Sequence, residues 1–551
     1  MQTFSLILIM FVAVLFSSII VRMLPFRLQI PVPLIQIALG ASISMVAEWR
    51  LELDPQVFFL LFLPPLLFLD GWRIPKEGLF RDRGIILSLA IGLVVFTVIG
   101  AGYFIHWLIP SIPLGVAFAL AAVISPTDPV AVSAIASRIP IPKRLMHILE
   151  GESLLNDASG LVCLRFAIAS VLTGSFVLSD AVVDFLKLSL GGVAIGVTIT
   201  LIITKAKIWV SKRFGEEVSA QILISLLLPF IVYLAAEHLH CSGILAAVAS
   251  GITMGYSELS GQALALTRVR RTAVWDMLQF ALNGLMFVLL GEQLPGIVAN
   301  LSEILGEAGQ PQDDGFWLLL LYYILVINLA LGALRFIWVF ISLRFTIFTG
   351  KDANNFRIGN AIHIAAVTSV AGVRGAISLA GVLTLPLFIS AGYPFPARDL
   401  VIFLAAGVII VSLIVASIGV PLLVRGLFIP SEPEEEQTED LARNKSAEAA
   451  IRAIENAQYK MSETLPDASL YIEAAARVTD VYRHRINSQI APVDGPMTPR
   501  ALEEIEQQLR LIGLRAERAE LFRMARTKEL DEQLARKLIR KIDLMEAQNI
   551  R

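Results

Sequence analysis

Charge is scarce in this sequence. Of 551 residues only 17% are Asp, Glu, Lys or Arg, against 56% hydrophobic residues and a mean hydropathy of +0.72. A soluble globular chain carries roughly a quarter of charged residues, so a soluble fold is excluded. Cysteine is nearly absent too: Cys163 and Cys241 lie in different apolar segments, which excludes a disulfide framework and leaves two buried thiols. The opening Met1-Gln2-Thr3-Phe4-Ser5 lacks the basic stretch of a cleaved signal peptide, so the first apolar segment is expected to be retained. The scarcity of charge is uneven. Residues 1–430 hold 26 Lys/Arg and 24 Asp/Glu, whereas residues 431–551 hold 19 and 23 in far less chain. This predicts a transmembrane domain over 1–430 and a cytoplasmic helical tail over 431–551.

What the first 430 residues do have is long apolar runs. A helical span needs about 20 apolar residues, and thirteen segments qualify: 3–23, 32–47, 55–70, 84–109, 113–136, 144–174, 183–204, 218–237, 241–257, 272–291, 315–343, 360–389 and 398–424. The expected fold class is therefore an all-α polytopic membrane protein. Sorting Lys and Arg among alternate loops places twenty on one side and three (Arg50, Lys187, Arg398) on the other. Cytoplasmic loops are the basic ones, so the N-terminus is expected outside and the C-terminus inside. Arg165, Arg335 and Arg374 fall within spans and need partners, which the in-span acids of the first half could supply.

Two spans are interrupted. Span five contains Ser125-Pro126-Thr127-Asp128-Pro129, where each proline removes a backbone donor and disfavours helix at the preceding residue. Span twelve contains Gly372-Val373-Arg374-Gly375, glycine-rich and charged. If spans one to six and eight to thirteen are inverted repeats, five and twelve are counterparts, and paired interrupted helices mark a transporter site. The bland reading of the prolines, a kink in a packed helix, leaves Asp128 unexplained; that of the glycines is close packing. Span six carries Gly151-Glu152-Ser153-Leu154-Leu155-Asn156-Asp157. Residues four apart share a helical face, so Ser153 stands over Asp157 and Glu152 over Asn156. Ionisable groups at membrane depth cost about 2.5–3.5 kcal/mol each and usually face a cavity, pair, or line an ion path. Transport is the function these residues suggest, although Glu152 and Asp157 could both serve structural ion pairs.

Together, and in this order, Ser125-Pro126-Thr127-Asp128-Pro129-Val130-Ala131-Val132, Gly151 to Asp157, and Gly372-Val373-Arg374-Gly375-Ala376 resemble the monovalent cation:proton antiporter-1 family, which includes bacterial sodium/proton antiporters and the animal sodium/proton exchangers. The resemblance covers nearly the whole membrane region. It implies a homodimer of thirteen-span protomers in the plasma (inner) membrane, each with a core bundle holding two crossed, partly unwound helices and a separate dimerisation region. It implies that Asp157 binds cation or proton, with Asn156 completing an Asn-Asp pair typical of electroneutral members. Ser153, the main-chain oxygen of Thr127, and Asp128 would complete the site, and Glu152 and Arg374 would form a buried salt bridge. One departure is visible: Asp70, after Pro64-Pro65, stands one place later than the family's span-three acid. One residue rotates a helical side chain by about 100°, so Asp70 reads equally as a ligand or as a cytoplasmic span-end charge.

A carboxylate in a low-dielectric site holds its proton more tightly than in water, and a nearby cation favours the ionised form. Sodium, or lithium, and a proton would thus compete for Asp157, and exchange follows without covalent chemistry; no enzyme activity is expected. Potassium in place of sodium is the nearest alternative. A cation channel is more remote, and an intramembrane aspartyl protease using Asp128 and Asp157 lacks its required pattern. His147 and His363 could set pH dependence or be structural. In the tail, helices are expected at about 436–463, 467–489 and 498–547, with Leu530, Leu534, Leu538 and Ile542 as an apolar stripe of a small bundle. Nothing there supports nucleotide, zinc or nucleic-acid binding, and no cofactor is expected.

Overall fold

In a computed structural model the chain divides into two compact units, Met1–Phe428 and Ile429–Arg551. The structure describes residues 2–23, 31–47, 55–74, 76–128, 143–173, 178–258, 265–307, 314–347, 358–389 and 393–424 of the first. In the second it describes 448–457, 459, 472, 475–480, 482–483, 514, 541–542 and 544–546.

The first unit is a bundle of helices: α1 (Gln2–Met23), α2 (Val32–Ala47), α3 (Pro55–Arg73), α4 (Lys76–Arg81), α5 (Arg83–Leu87), α6 (Val94–Leu108), α7 (Leu114–Ile124), α8 (Lys143–Thr173), α9 (Leu178–Phe214), α10 (Val218–His238), α11 (Gly243–Glu258), α12 (Ala265–Glu307), α13 (Asp314–Ile347), α14 (Ile358–Val370), α15 (Ala376–Leu383) and α16 (Arg398–Val424). Helix α5 runs into α6 through a π-helical stretch, Ser88–Leu93, making one span of Arg83–Leu108. Among the described residues eight helices are long and apolar enough to cross a membrane by themselves. Others, such as the 16-residue α2 and 11-residue α7, are short or interrupted.

Each expected span has a helix at its place, but the edges moved. Helix α9 extends to Phe214 and α12 begins at Ala265, well outside the expected 183–204 and 272–291. Hydropathy marks only the apolar part of a helix, and the hydrogen-bond ladder continues beyond it. Arg271, expected in a loop, is thereby buried on α12, where it pairs with Glu258 and lies 5.3 Å over the ring of Trp72. Residues 386–389 of expected span twelve are not helical. There Phe388–Ile389 pairs antiparallel with Tyr393–Pro394, Phe388 opposite Pro394 and Ile389 opposite Tyr393. Residues 129–136 of span five lie outside the described residues.

The helices sort into two bundles. One gathers α5 to α8 and α13 to α16 around α7, whose residues from Val116 to Ile124, Phe118 apart, are almost fully buried; a helix apolar on every side belongs in such a centre. The other gathers α1 to α3 and α9 to α12. Two of its crossings are built on reciprocal glycines. Gly40 of α2 lies against the backbone of Val288 and Glu292 on α12, and Gly291 answers against Ile37. Gly71 of α3 lies against Val248 on α11, and Gly251 answers against Phe68. Small residues let helix backbones approach where lipid gives no hydrophobic drive. Large apolar side chains such as Leu15, Leu190, Leu329 and Leu422 stay exposed on the outside, as suits a bundle of membrane-spanning helices.

In the second unit residues 448–457 are helical, Arg452 meets Glu448 one turn away at 3.7 Å, and Arg483 reaches Glu455 at 3.9 Å. Ile542 is buried. Leu530, Leu534 and Leu538 of the expected stripe, and most of 498–547, lie outside the described residues.

Candidate ion-binding site

Both expected interruptions are present, and they meet. Helix α7 stops at Ile124 and the chain leaves helical geometry through Ser125 to Asp128; α14 stops at Val370, and Ala371 to Gly375 run non-helical into α15. The Asp128 amide donates to the Val373 carbonyl at 2.7 Å, which ties one break to the other.

Broken helices leave carbonyls without partners at one end and amides at the other. Arg374 serves the first kind. Its Nε donates to the carbonyl of Ile124, the last residue of α7, at 3.0 Å, its Nη1 donates to the Gly372 carbonyl at 2.5 Å, and its own amide donates to the Ser412 hydroxyl at 3.1 Å. A guanidinium there also offsets the negative ends of two helix dipoles. Asp128 lies at the opposite kind of end. Its Cγ is 2.7 Å from where a Cβ on Gly375 would stand, and Gly375 is the N-cap of α15. Glycine is required for that approach, and the carboxylate faces the positive end of the helix.

This arrangement corrects the expected Glu152–Arg374 bridge. Glu152, 1% exposed, is instead held by Arg335 of α13 through a two-pronged contact, Nη1 to Oε1 at 2.5 Å and Nη2 to Oε2 at 2.7 Å, while Arg335 Nε donates to the Thr368 carbonyl at 3.0 Å. Arg374 remains in the electrostatic field of Glu152 but spends its donors on the orphaned carbonyls. The fork of Arg335 is the geometry that suits a carboxylate. Sequence reasoning recorded Arg335 only as a charge in need of a partner; that in-span position was the available signal. Arg165, the third such arginine, lies 3.8 Å from Glu237.

Glu152 also accepts the Thr127 hydroxyl at 3.2 Å, and Asn156 Nδ2 donates to Thr127 Oγ1 at 3.0 Å, with the Thr127 carbonyl 3.5 Å away. The two faces of α8 anticipated from four-residue spacing are thus occupied differently: Glu152 and Asn156 dock on the break of span five, while Ser153 and Asp157 are buried on the neighbouring face. Asn156 Oδ1 is buried without a hydrogen-bond partner, an oxygen available to a cation or a water.

Asp157, 7% exposed, lines a narrow cavity with Pro126 and Ser378. The carboxylates of Asp128 and Asp70 act on it electrostatically, both with its own sign. Asp70 lies within α3 and in turn feels Asp128, Glu150 and, with the opposite sign, the adjacent Arg73, which itself pairs with Asp276. So Asp70, Asp128 and Asp157 are brought into electrostatic contact, while His363 is placed elsewhere, its Nε2 2.7 Å from the Leu423 carbonyl. Among the described residues no three His, Cys, Asp or Glu side chains converge as a chelating group. The oxygens near the crossing come from the Asp157 and Asp128 carboxylates and from the neutral side chains of Thr127, Ser153 and Asn156. The charge balance is informative. Glu152 with Arg335 is neutral, and Asp128 with Arg374 supplies one charge of each sign to the crossing. The ionised form of Asp157 is then an uncompensated buried anion, which a proton or a cation would neutralise.

Comparison with known proteins gives a consistent result. The model of the sodium/hydrogen exchanger transmembrane family matches residues 7–426. An uncharacterised Na(+)/H(+) exchanger of Escherichia coli K12 is 40% identical over 99% of each chain. A sodium, potassium, lithium and rubidium/H(+) antiporter of Bacillus subtilis is 38% identical over 99% of this chain and 78% of its own. Among solved structures, the sodium proton antiporter MjNhaP1 of Methanocaldococcus jannaschii superposes with a TM-score of 0.58 at 18% identity, covering 78% of this chain and 99% of that one, a likeness of fold.

Proposed function

The chain belongs to the sodium/hydrogen exchanger family, and from that premise we propose that it is a secondary antiporter exchanging sodium or lithium for protons by competition at Asp157. The observation that carries the reading is the buried Asp157 carboxylate, which feels the carboxylates of Asp128 and Asp70 and lines a cavity beside the crossed helix breaks. A cation and a proton each neutralise it, and both together would leave a surplus positive charge. If the neutralised forms cross between inward- and outward-facing states and the bare anion does not, the two flows are coupled one for one, and exchange is electroneutral.

Thr127, Ser153, Asn156 and Asp128 supply the oxygens around the ion in this reading. Asp70, within electrostatic reach from the other bundle, is a further candidate ligand. The Glu152–Arg335 pair holds α8 to α13 and does not exchange. Access would alternate by movement of the α5–α8/α13–α16 bundle against the other. The protein would work as a homodimer in the plasma membrane, N-terminus outside and C-terminus in the cytoplasm, as the loop charges suggest. Potassium is a second substrate reading, favoured by the name of the Bacillus subtilis relative.

The test is cation-driven proton efflux from proteoliposomes of the full chain, with lithium, sodium and potassium compared across pH. Wild type is expected to exchange and Asp157→Asn to be inert while folding normally. Unimpaired exchange by Asp157→Asn would overturn the assignment.

A further inference from the structure

Asp157 has unlike surroundings on its two sides. Along α8 toward the N-terminus lies Glu150, which feels Asp70; residues 150, 153 and 157 follow the spacing of one helical face. In the other direction, toward Gly160 and Leu161, the cavity opens between α7 and α15, and its walls are apolar or small: Ala122, Val123, Pro126, Ile377 and Gly381. Apart from Asp157, the one residue with a polar side chain lining it is Ser378, itself 6% exposed on the first turn of α15. The cavity has room for about one water-sized guest. Gly160 and Gly381 bear on that space differently. A Cβ at Gly160 would strike the Pro126 ring, whereas one at Gly381 would meet Val123 and Leu161 at ordinary contact distances of 3.6 to 3.8 Å. A methyl group at Gly381 therefore fits the backbone and narrows the cavity.

We propose that this cavity is a vestibule in which a partly dehydrated cation rests beside Asp157, and that the Ser378 hydroxyl is a neutral oxygen ligand, direct or through one water, that sets the preference for small cations. The inference rests on the antiporter reading of Asp157. A small ion loses more hydration energy on entering a confined apolar space, so it depends more on each replacement oxygen. A larger ion is limited first by the width of the cavity.

The experiment measures cation-dependent proton flux by the full chain in proteoliposomes, with the half-saturating concentration and maximal rate determined separately for lithium, sodium and potassium. Ser378→Ala is expected to raise the half-saturating concentration for lithium and sodium by about three- to tenfold, the worth of one lost polar contact, with a smaller change for potassium and a maximal rate near wild type. Ser378→Thr should restore it. Gly381→Ala should act in the opposite sense, weakening potassium more than lithium, and provides an independent arm should the alanine variant at Ser378 not fold. Unchanged half-saturation for all three ions, or a uniform fall in rate without a change in half-saturation, would overturn the proposal. An inert Asp157→Asn alongside a Ser378→Ala indistinguishable from wild type would remove this inference alone. An active Asp157→Asn would remove the antiporter assignment beneath it.

Discussion

The two helix breaks meet at one crossing but are made from opposite materials. The break after α7 is written in proline and ends in an acid; the break after α14 is written in glycine and carries an arginine. Proline removes amides that would otherwise need acceptors, whereas glycine lets another chain come close. Each break then supplies the charge that the other's backbone lacks. Arg374 takes the free carbonyls at Ile124 and Gly372, and Asp128 sits on the N-terminus of α15 across Gly375. Arg374 at the crossing is therefore committed to backbone, and the ion pair that binds helices together is a separate device, Glu152 with Arg335, on the face of α8 that docks on the break of span five.

That division of labour between the two arginines can be broken experimentally, and the expected effects differ in size. Arg335→Leu strands Glu152 as a buried anion and should cost about 3–5 kcal/mol of stability, the usual penalty for breaking a buried pair. Adding Glu152→Gln should recover a large part, read as thermal stability of the detergent-purified protein. Arg374→Leu removes hydrogen bonds to carbonyls instead of a partner for a carboxylate, and should cost about 1–3 kcal/mol for the group left unsatisfied. Here Glu152→Gln should recover little. Strong coupling of Glu152 to Arg374 and weak coupling to Arg335 in the same double-mutant cycles would reverse the assignment.

Much of this architecture was legible in the sequence because lipid imposes simple rules. Span positions follow from apolar length, and the breaks follow from Pro126, Pro129, Gly372 and Gly375, whose backbone effects are local. The two faces of α8 were legible from helical spacing. The partner of Glu152 was not. Which arginine reaches it depends on how α13 is rotated and on how many carbonyls the crossing leaves for Arg374 to satisfy, and both are tertiary properties. Helix ends such as Phe214 and Ala265 were hidden because a helix need not stop where hydropathy does. Ser378 passed unremarked for a similar reason: a lone serine in an apolar helix gains meaning only when the facing helices enclose a cavity on the same aspartate. Asp70 shows the limit of spacing rules most plainly, since one residue of register left its direction open, and only the packing of α3 brought it toward Asp128 and Asp157.

The central claim is that cation and proton exclude one another at Asp157, and equilibrium sodium binding to the purified protein as a function of pH tests it most directly. Competition predicts that the apparent dissociation constant rises as pH falls, approaching about tenfold per unit once the protonated form dominates, with roughly one proton released per sodium bound and neither effect in Asp157→Asn. A sodium affinity independent of pH, or sodium uptake without proton release, would contradict the account.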